Sequence, residues 1–326
     1  MTESSTGRFQ IQVIPEDPTL VLKSVREGLT GSPRSISPHF FYDDYGSELF
    51  ERSTELPEYY PTRSEESILR AVVQDVVRVT RAEELIELGS GAATKTRVLL
   101  DAMHKQGKLR RYLPFDVSEG IVRRVAKELM TEYPGLDVDA VVGDFTSELG
   151  AIPGGKNRLL VFLGGTIGNF RPREAVTFLK RLGQALDGGD YFLLGTDLIK
   201  DVNRLEAAYN DNQGVTALFN KNALRVLNRF LDSDFDPDGF EHHAFYNPDE
   251  NRIEMWLRSL RSQRIRLPRI DLEFTLSDGE AILTEVSRKF DRKSVESLLT
   301  QSGFELIEFY TDPENLFALS LARRTS

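Results

Sequence analysis

The stretch Glu84-Leu-Ile-Glu-Leu-Gly-Ser-Gly91 decides how the rest of the chain is read. A short apolar run ends in Gly-Ser-Gly, and the text behind it, TKTRVLLDAMHKQG (94–107), carries apolar residues at three- and four-residue spacing. That is a buried strand, a turn that needs glycine, and a helix. Working outward, similar runs ending in Gly or Asp recur at RYLPFDV (111–117), VDAVVGDF (138–145), RLLVFLGG (158–165) and YFLLGTDL (191–198). Helical text such as SEGIVRRVAKELMTEY (118–133) and RPREAVTFLKRLGQAL (171–186) separates them. The alternation predicts a parallel sheet covered by helices on both faces, with ligands at the carboxyl ends of the strands.

The rhythm fails on both sides of this block. Residues 1–64 are rich in proline and aromatics, as in SPHFFYDDYGSELFE (37–51) and TELPEYYPTR (54–63). Residues 200 to about 260 read as helices, with DVNRLEAAYND (201–211) and GVTALFNKNALRVLNRFL (214–231). NRIEMWLRSL (251–260), QRIRLPR (263–269), IDLEFTL (270–276) and AILTEVSRKF (281–290) follow as strand-like pieces. The chain closes with a helix, RKSVESLLTQSG (292–303), and strands FELIEFY and LFALSLARR joined by the turn TDPEN. The expected organisation is an α/β domain from 65–199 and 290–326, and a mixed α+β domain from 1–64 and 200–289.

Composition removes whole classes of function. Forty-one Lys and Arg stand against 51 Asp and Glu, a net charge of −10, which gives phosphate backbones and anionic lipid no global attraction. With no cysteine, disulfides, thiolate metal sites and cysteine nucleophiles are excluded. Four scattered histidines suggest no metal site, and adjacent His242 and His243 read as a solvated pair. No apolar run reaches membrane length, so the expectation is a cytoplasmic enzyme working on a small molecule, monomeric, with no nucleic-acid or membrane partner.

Three strand ends carry the chemistry. Gly89 and Gly91 let backbone approach a ligand at a helix start. Asp116 can accept two ribose hydroxyls or serve as a helix N-cap. Asp144 can take an adenine amino hydrogen while Phe145 covers the ring. Together they point to an adenosyl ligand. The third glycine of a dinucleotide fingerprint is absent and no histidine lies at a strand end, which favours S-adenosylmethionine over a nicotinamide cofactor. The loop Gly164-Gly165-Thr-Ile-Gly168-Asn169-Phe170 would meet the acceptor, although Gly168-Asn169 is also an ordinary turn dipeptide.

These segments, with AAYND, GVTALFNKN, IEMWL and LTEVSRKF, resemble in order the histidine-specific Nα-methyltransferases of ergothioneine biosynthesis, from about residue 20 to about residue 322. The resemblance implies a Rossmann-like class I methyltransferase sheet beside a substrate-binding domain. It also implies transfer of three methyl groups from S-adenosylmethionine to the α-amine of L-histidine, giving hercynine. Carried over by position, Tyr42, Gly89, Lys95, Asp116, Asp144 and Phe145 are cofactor contacts. Tyr59, Asn169, Tyr209, Met255, Glu285 and Ser287 form the histidine pocket, with Tyr42 and Asn169 nearest the chemistry. Two loops depart from the family pattern: Ala92-Ala93-Thr94 replaces a Thr-Ser-Glu stretch, and Gly165 replaces Ser.

The side chains suit that division. Glu285 and Ser287, two apart on a strand, share a face and can grip an imidazole, although a solvated strand face has the same spacing. Met255 shares a face with Ile253 and Leu257 and is a core residue that can also form a pocket wall. Asn169 and Tyr209 offer neutral donors to a carboxylate, and Tyr59 reaches the ring side through a water. The rival readings are an N-methyltransferase of another small amino acid or amine, a macromolecule methyltransferase, and an inactive cofactor-binding subunit. A DPPY-type loop after the fourth strand is absent, which opposes the macromolecular reading, and the full set of pocket positions opposes the inactive one.

Overall fold

The computed structural model describes residues 7–325. In chain order the first elements are β1 (Phe9–Val13), α1 (Pro18–Thr30), α2 (Asp44–Thr54), α3 (Tyr60–Thr80), β2 (Glu84–Leu88), α4 (Thr96–Lys105), β3 (Arg111–Asp116) and α5 (Glu119–Glu132). Next come β4 (Asp137–Val142), β5 (Arg158–Phe162), α6 (Pro172–Gln184), β6 (Tyr191–Asp197), α7 (Val202–Ala207) and α8 (Val215–Leu231). The chain ends with β7 (Phe240–Asn247), β8 (Arg252–Ser259), β9 (Gln263–Leu267), β10 (Leu272–Leu276), β11 (Ala281–Arg288), α9 (Arg292–Gln301), β12 (Phe304–Thr311) and β13 (Phe317–Arg324).

The described residues form two compact units. The first, from residues 7–16, 63–198 and 290–325, holds a sheet of order β1-β4-β3-β2-β5-β6-β13-β12. Its first six strands run parallel, while β13 is antiparallel to both β6 and β12. Strand alternation sends Leu85 to one side, into a core with Val76, Leu99 and Leu129, and Ile86 and Leu88 to the other, with Phe178, Leu179 and Leu299. The helices are built to cover those faces. In α5 the buried residues are Val122, Val125, Ala126 and Leu129, and in α6 Ala175, Phe178, Leu179 and Leu182, a stripe on one side of each helix. Pro172 and the Glu174 carboxylate, which accepts the Arg171 N–H at 2.9 Å, fix where α6 starts.

Two elements depart from the sequence reading. Residues 1–64 are assigned there to the second domain, but β1 pairs in parallel with β4 at the sheet edge. Only Ile11 of FQIQV is even half-buried, packing beside Val122, Ala140 and Val142, so the strand carries almost no hydrophobic signal. Phe240–Asn247 is the strand β7 in a stretch read as helical; its Glu and His residues hide the alternation that buries Phe240 and Ala244.

The second unit, Asp17–Thr62 and Ile199–Lys289, is built around the three-stranded antiparallel sheet β11-β8-β7, with β9 and β10 as a separate hairpin. Among the described residues, no helix is long and apolar enough to cross a membrane, and no group of three acidic or histidine side chains is placed to hold a metal ion.

Candidate functional site

In the first unit the predicted residues gather at the carboxyl ends of β2, β3 and β4. Leu88 pairs with Phe115, so Gly89 emerges level with Asp116, and the Gly89 N–H donates to the Phe115 carbonyl at 2.8 Å. Gly89 and Gly91 have φ of 72° and 46°, left-handed values that favour glycine. A Cβ on Gly89 would lie 3.7 Å from the Phe145 ring, so the missing side chain leaves a cradle beside that ring. Phe145 is held from behind by Phe162 and Phe178, with centroids at 5.6 and 6.2 Å. Both Asp116 oxygens accept backbone N–H groups, from Gly91 at 2.9 Å and Ser118 at 3.0 Å. The carboxylate therefore ties the glycine loop to the start of α5, and the cap role and a ligand role coexist because a carboxylate accepts about four hydrogen bonds. Asp144 is likewise engaged locally, by the N–H and hydroxyl of Thr146 at 2.8 and 2.7 Å.

Two buried acids underpin these loops, and neither was singled out from the sequence. Alternation puts Glu87 on the same face as Leu85, under the glycine loop, where the hydroxyls of Thr96 and Tyr112 donate to its two oxygens. Burial pushes the Glu87 carboxyl up to about 7, against the opposing pull of those two hydroxyls and of the Lys95 charge. Glu65, fully buried on α3, accepts the Gly164 N–H with both oxygens at 2.9 Å and pairs with the Lys95 ammonium. Lys95, predicted as a cofactor contact, thus stands between the glycine loop and a carboxylate that also fixes the loop after β5. A Cβ on Gly195 would come within 2.1 Å of a Glu65 oxygen, so glycine on β6 makes room for this acid. Gly164 and Gly165 both have positive φ, 77° and 70°, and the turn after them, Thr166–Asn169, sets the half-buried Asn169. The departure at Gly165 is thus a conformation that glycine takes without strain. Ala93 pays no such respect to the rule: it holds φ of 52° while buried in the core.

In the second unit, sequence segments read as one motif divide into a candidate residue and its supports. In FFYDDYG the Asp43 carboxylate caps α2 by accepting the Gly46 N–H at 2.8 Å and also accepts the Asn222 amide at 2.6 Å. A Cβ on Gly46 would strike the Phe41 carbonyl at 1.7 Å, so this turn requires glycine. Tyr42 is thereby held 41% exposed, its ring against Phe50 and Phe219 at 5.8 and 5.5 Å. Phe50 in turn meets Tyr59 at 6.4 Å, and Tyr59 meets Tyr209 at 6.5 Å, which makes one aromatic row of three predicted residues and an unpredicted phenylalanine. In AAYND, Asn210 bonds β7 at both the N–H and carbonyl of Ala244, and Asp211 caps the start of α8. Burial alone would raise the Asp211 carboxyl, but the N–H groups of Thr216 and Val215 hold it below the usual range. What these supports position is Tyr209.

Glu285 and Ser287 share one face, as their spacing predicts. A bulge in β11 between Leu283 and Glu285 resets the register, and beyond it Glu285 stands opposite Met255 and Ser287 opposite Ile253. Cross-strand partners share a face, so Glu285, Ser287 and the buried Met255 form one surface. The Tyr209 hydroxyl reaches Ser287 Oγ at 2.8 Å. Lys289, missed from sequence although it continues the alternation Glu285, Ser287, Lys289, closes a triangle with both hydroxyls. His242 is corrected from a solvated residue to a structural one. Asn220 Nδ2 lies 2.8 Å from its Nδ1 and the Tyr209 carbonyl 2.8 Å from its Nε2, and burial lowers its pKa, so the ring is held neutral with Nε2–H donating.

Comparison with known proteins identifies the family. The family model for histidine-specific, S-adenosylmethionine-dependent methyltransferases matches residues 21–324. Histidine N-alpha-methyltransferase of Mycolicibacterium smegmatis is 50% identical over 302 residues, 93% of this chain and 94% of that protein. The enzyme of the same name from Mycobacterium tuberculosis is 49% identical over the same shares. Ergothioneine biosynthesis protein 1 of Neurospora crassa is 28% identical over 86% of this chain, which spans 32% of that longer protein. The chain belongs to the family of histidine-specific, S-adenosylmethionine-dependent methyltransferases.

Proposed function

We propose that this chain methylates the α-amine of L-histidine three times to give hercynine, the entry reaction of ergothioneine biosynthesis. The observation that carries the reading is the shared face of Glu285, Ser287 and Met255, which offers an acceptor, a hydroxyl and an apolar wall to a small ring with two nitrogens. The near-complete overlap with proteins named for this reaction supports it.

The first unit fits the methyl donor. Gly89 provides the cradle beside Phe145, Asp116 retains acceptor capacity for ribose hydroxyls, and Asp144 lies at the next strand end. Lys95 offers the positive charge for the amino-acid carboxylate. Bound there, S-adenosylmethionine supplies an electrophilic methyl carbon. Asp116→Ala is expected to weaken binding of S-adenosylhomocysteine about tenfold or more, since charge-assisted hydrogen bonds are worth roughly 1.5 to 3 kcal/mol. Calorimetry checks this, and unchanged affinity in a folded variant removes Asp116 from the site.

For the acceptor, a free α-amine is mostly protonated near neutrality and must present a lone pair. The aromatic row Tyr42, Phe50, Tyr59 and Tyr209 supplies low-polarity surroundings that disfavour the ammonium before transfer, yet ring faces tolerate the bulkier methylated cations. Asn169 is assigned to the substrate as a neutral hydrogen-bonding group. A trimethylated nitrogen has no lone pair, so the reaction ends by its own chemistry. The decisive experiment incubates the protein with S-adenosylmethionine and each of the twenty amino acids and weighs the products. Histidine gaining three methyl groups is expected; methylation of another amino acid in its place overturns the assignment.

A further inference from the structure

We propose that Lys289 fixes the Ser287 hydroxyl as a hydrogen-bond donor, so that the pocket reads an unprotonated ring nitrogen and selects the neutral imidazole of its substrate. The inference rests on the histidine reading above and adds a residue and a protonation state to it.

The argument begins with hydrogen-bond direction. Lys289 is 3% exposed; its Nζ lies 2.8 Å from Ser287 Oγ and 3.1 Å from the Tyr209 hydroxyl, and 4.8 Å from the centre of the Tyr209 ring. An ammonium has donors and no acceptor, so Ser287 and Tyr209 both receive hydrogens from it. The Tyr209 hydroxyl donates its own hydrogen to Ser287 Oγ at 2.8 Å. Both lone pairs of Ser287 are then filled, and the group it has left to offer is its O–H. Glu285, two residues earlier on the same face, is when ionised an acceptor alone. One donor and one acceptor two strand positions apart match an azole ring that carries one lone pair and one N–H. An imidazolium carries two N–H groups and would set one of them against the Ser287 hydrogen.

Other titrating groups surround this face and have to be separated from the ring. Glu285 on β11 and His242 and Tyr246 on β7 share the face, Tyr209 meets it from the segment before α8, and Arg288 on β11 and Glu254 on β8 lie on the opposite face of the same strands. A substrate analogue separates them. β-(1,2,4-Triazol-3-yl)alanine keeps an azole N–H and lone pairs but gains no ring proton over the range used, so any change in the protein's own groups affects it and histidine alike.

The experiment is calorimetric titration of histidine and of the triazole analogue into the full chain saturated with S-adenosylhomocysteine, at about pH 5.5 and about pH 8. From the imidazole pKa, histidine is expected to bind about tenfold more weakly at the lower pH, while the analogue changes much less. In Lys289→Met, which removes the ammonium and keeps the stem, Ser287 is freed to turn and accept. The histidine penalty is expected to shrink to about threefold or less. Equal weakening of histidine and analogue in the wild type overturns the proposal without needing the variant to fold, as does a folded Lys289→Met that keeps the full histidine penalty. Failure of the wild type to bind histidine at either pH refutes the substrate reading itself, a separate result.

Discussion

Glu65→Ala is expected to lower affinity for S-adenosylhomocysteine by about two orders of magnitude and to destabilise the protein measurably. Removing one member of a buried ion pair costs about 3 to 5 kcal/mol when both partners are enclosed. Here Glu65 is fully buried, but the Lys95 side chain is 22% exposed, so solvent offsets part of that cost and the lower end applies. The Gly164 N–H also loses its acceptor, which adds about 1 to 3 kcal/mol if water cannot replace it. The two effects fall on different loops, one after β2 and one after β5, so the variant loosens both together. Gly195→Ala is expected to act in the same direction without touching either charge, because its Cβ would occupy the place of a Glu65 oxygen. Calorimetry with the cofactor product and thermal unfolding check both variants. A folded Glu65→Ala with undiminished affinity would show that Lys95 and Gly164 are positioned by something else.

Glu65 also marks the limit of what the sequence discloses. The glycine loops were legible because a left-handed backbone at Gly89, Gly91, Gly164 and Gly165 restricts the residue type, leaving a mark in the text itself. The strands β2 to β6 were legible because they are buried on both faces along most of their length and read as largely apolar runs. Glu65 sits beside Glu66 in an ordinary helical stretch, and its partners lie 30 and 99 residues away. Burial distinguishes the two acids, since Glu66 makes only an exposed pair with Arg70 on the next turn. The same reason explains β1 and β7, where half-exposed strands show a pattern diluted by polar residues. His242 looked solvated because its partners, Asn220 and the Tyr209 carbonyl, come from elements remote in sequence. For Glu285 and Ser287 the period-two rule sufficed, since the bulge precedes both residues and leaves their relative orientation intact.

Glu285→Ala is expected to reduce kcat/KM for histidine by about one to two orders of magnitude and to narrow its advantage over apolar and aromatic amino acids. The reasoning is differential: an azole N–H donates to the carboxylate, whereas leucine or phenylalanine covers it while offering no donor, at a cost of roughly 1 to 3 kcal/mol. Removing the acid therefore weakens the correct substrate and relieves the penalty on the wrong ones, moving the ratio from both sides. Its cross-strand partner sharpens the test. Met255 stands directly opposite Glu285 and is 2% exposed, so Met255→Val enlarges the same wall that the Glu285→Ala change has already opened. The double variant is expected to favour a larger ring over imidazole, and the two changes should be non-additive because the residues touch the same space. A competition assay with histidine and tryptophan, run on the wild type, Glu285→Ala and the double variant, measures the shift. An unchanged histidine preference across all three would place the ring-binding surface on another face, because no other outcome is compatible with a carboxylate and a thioether lining the ring.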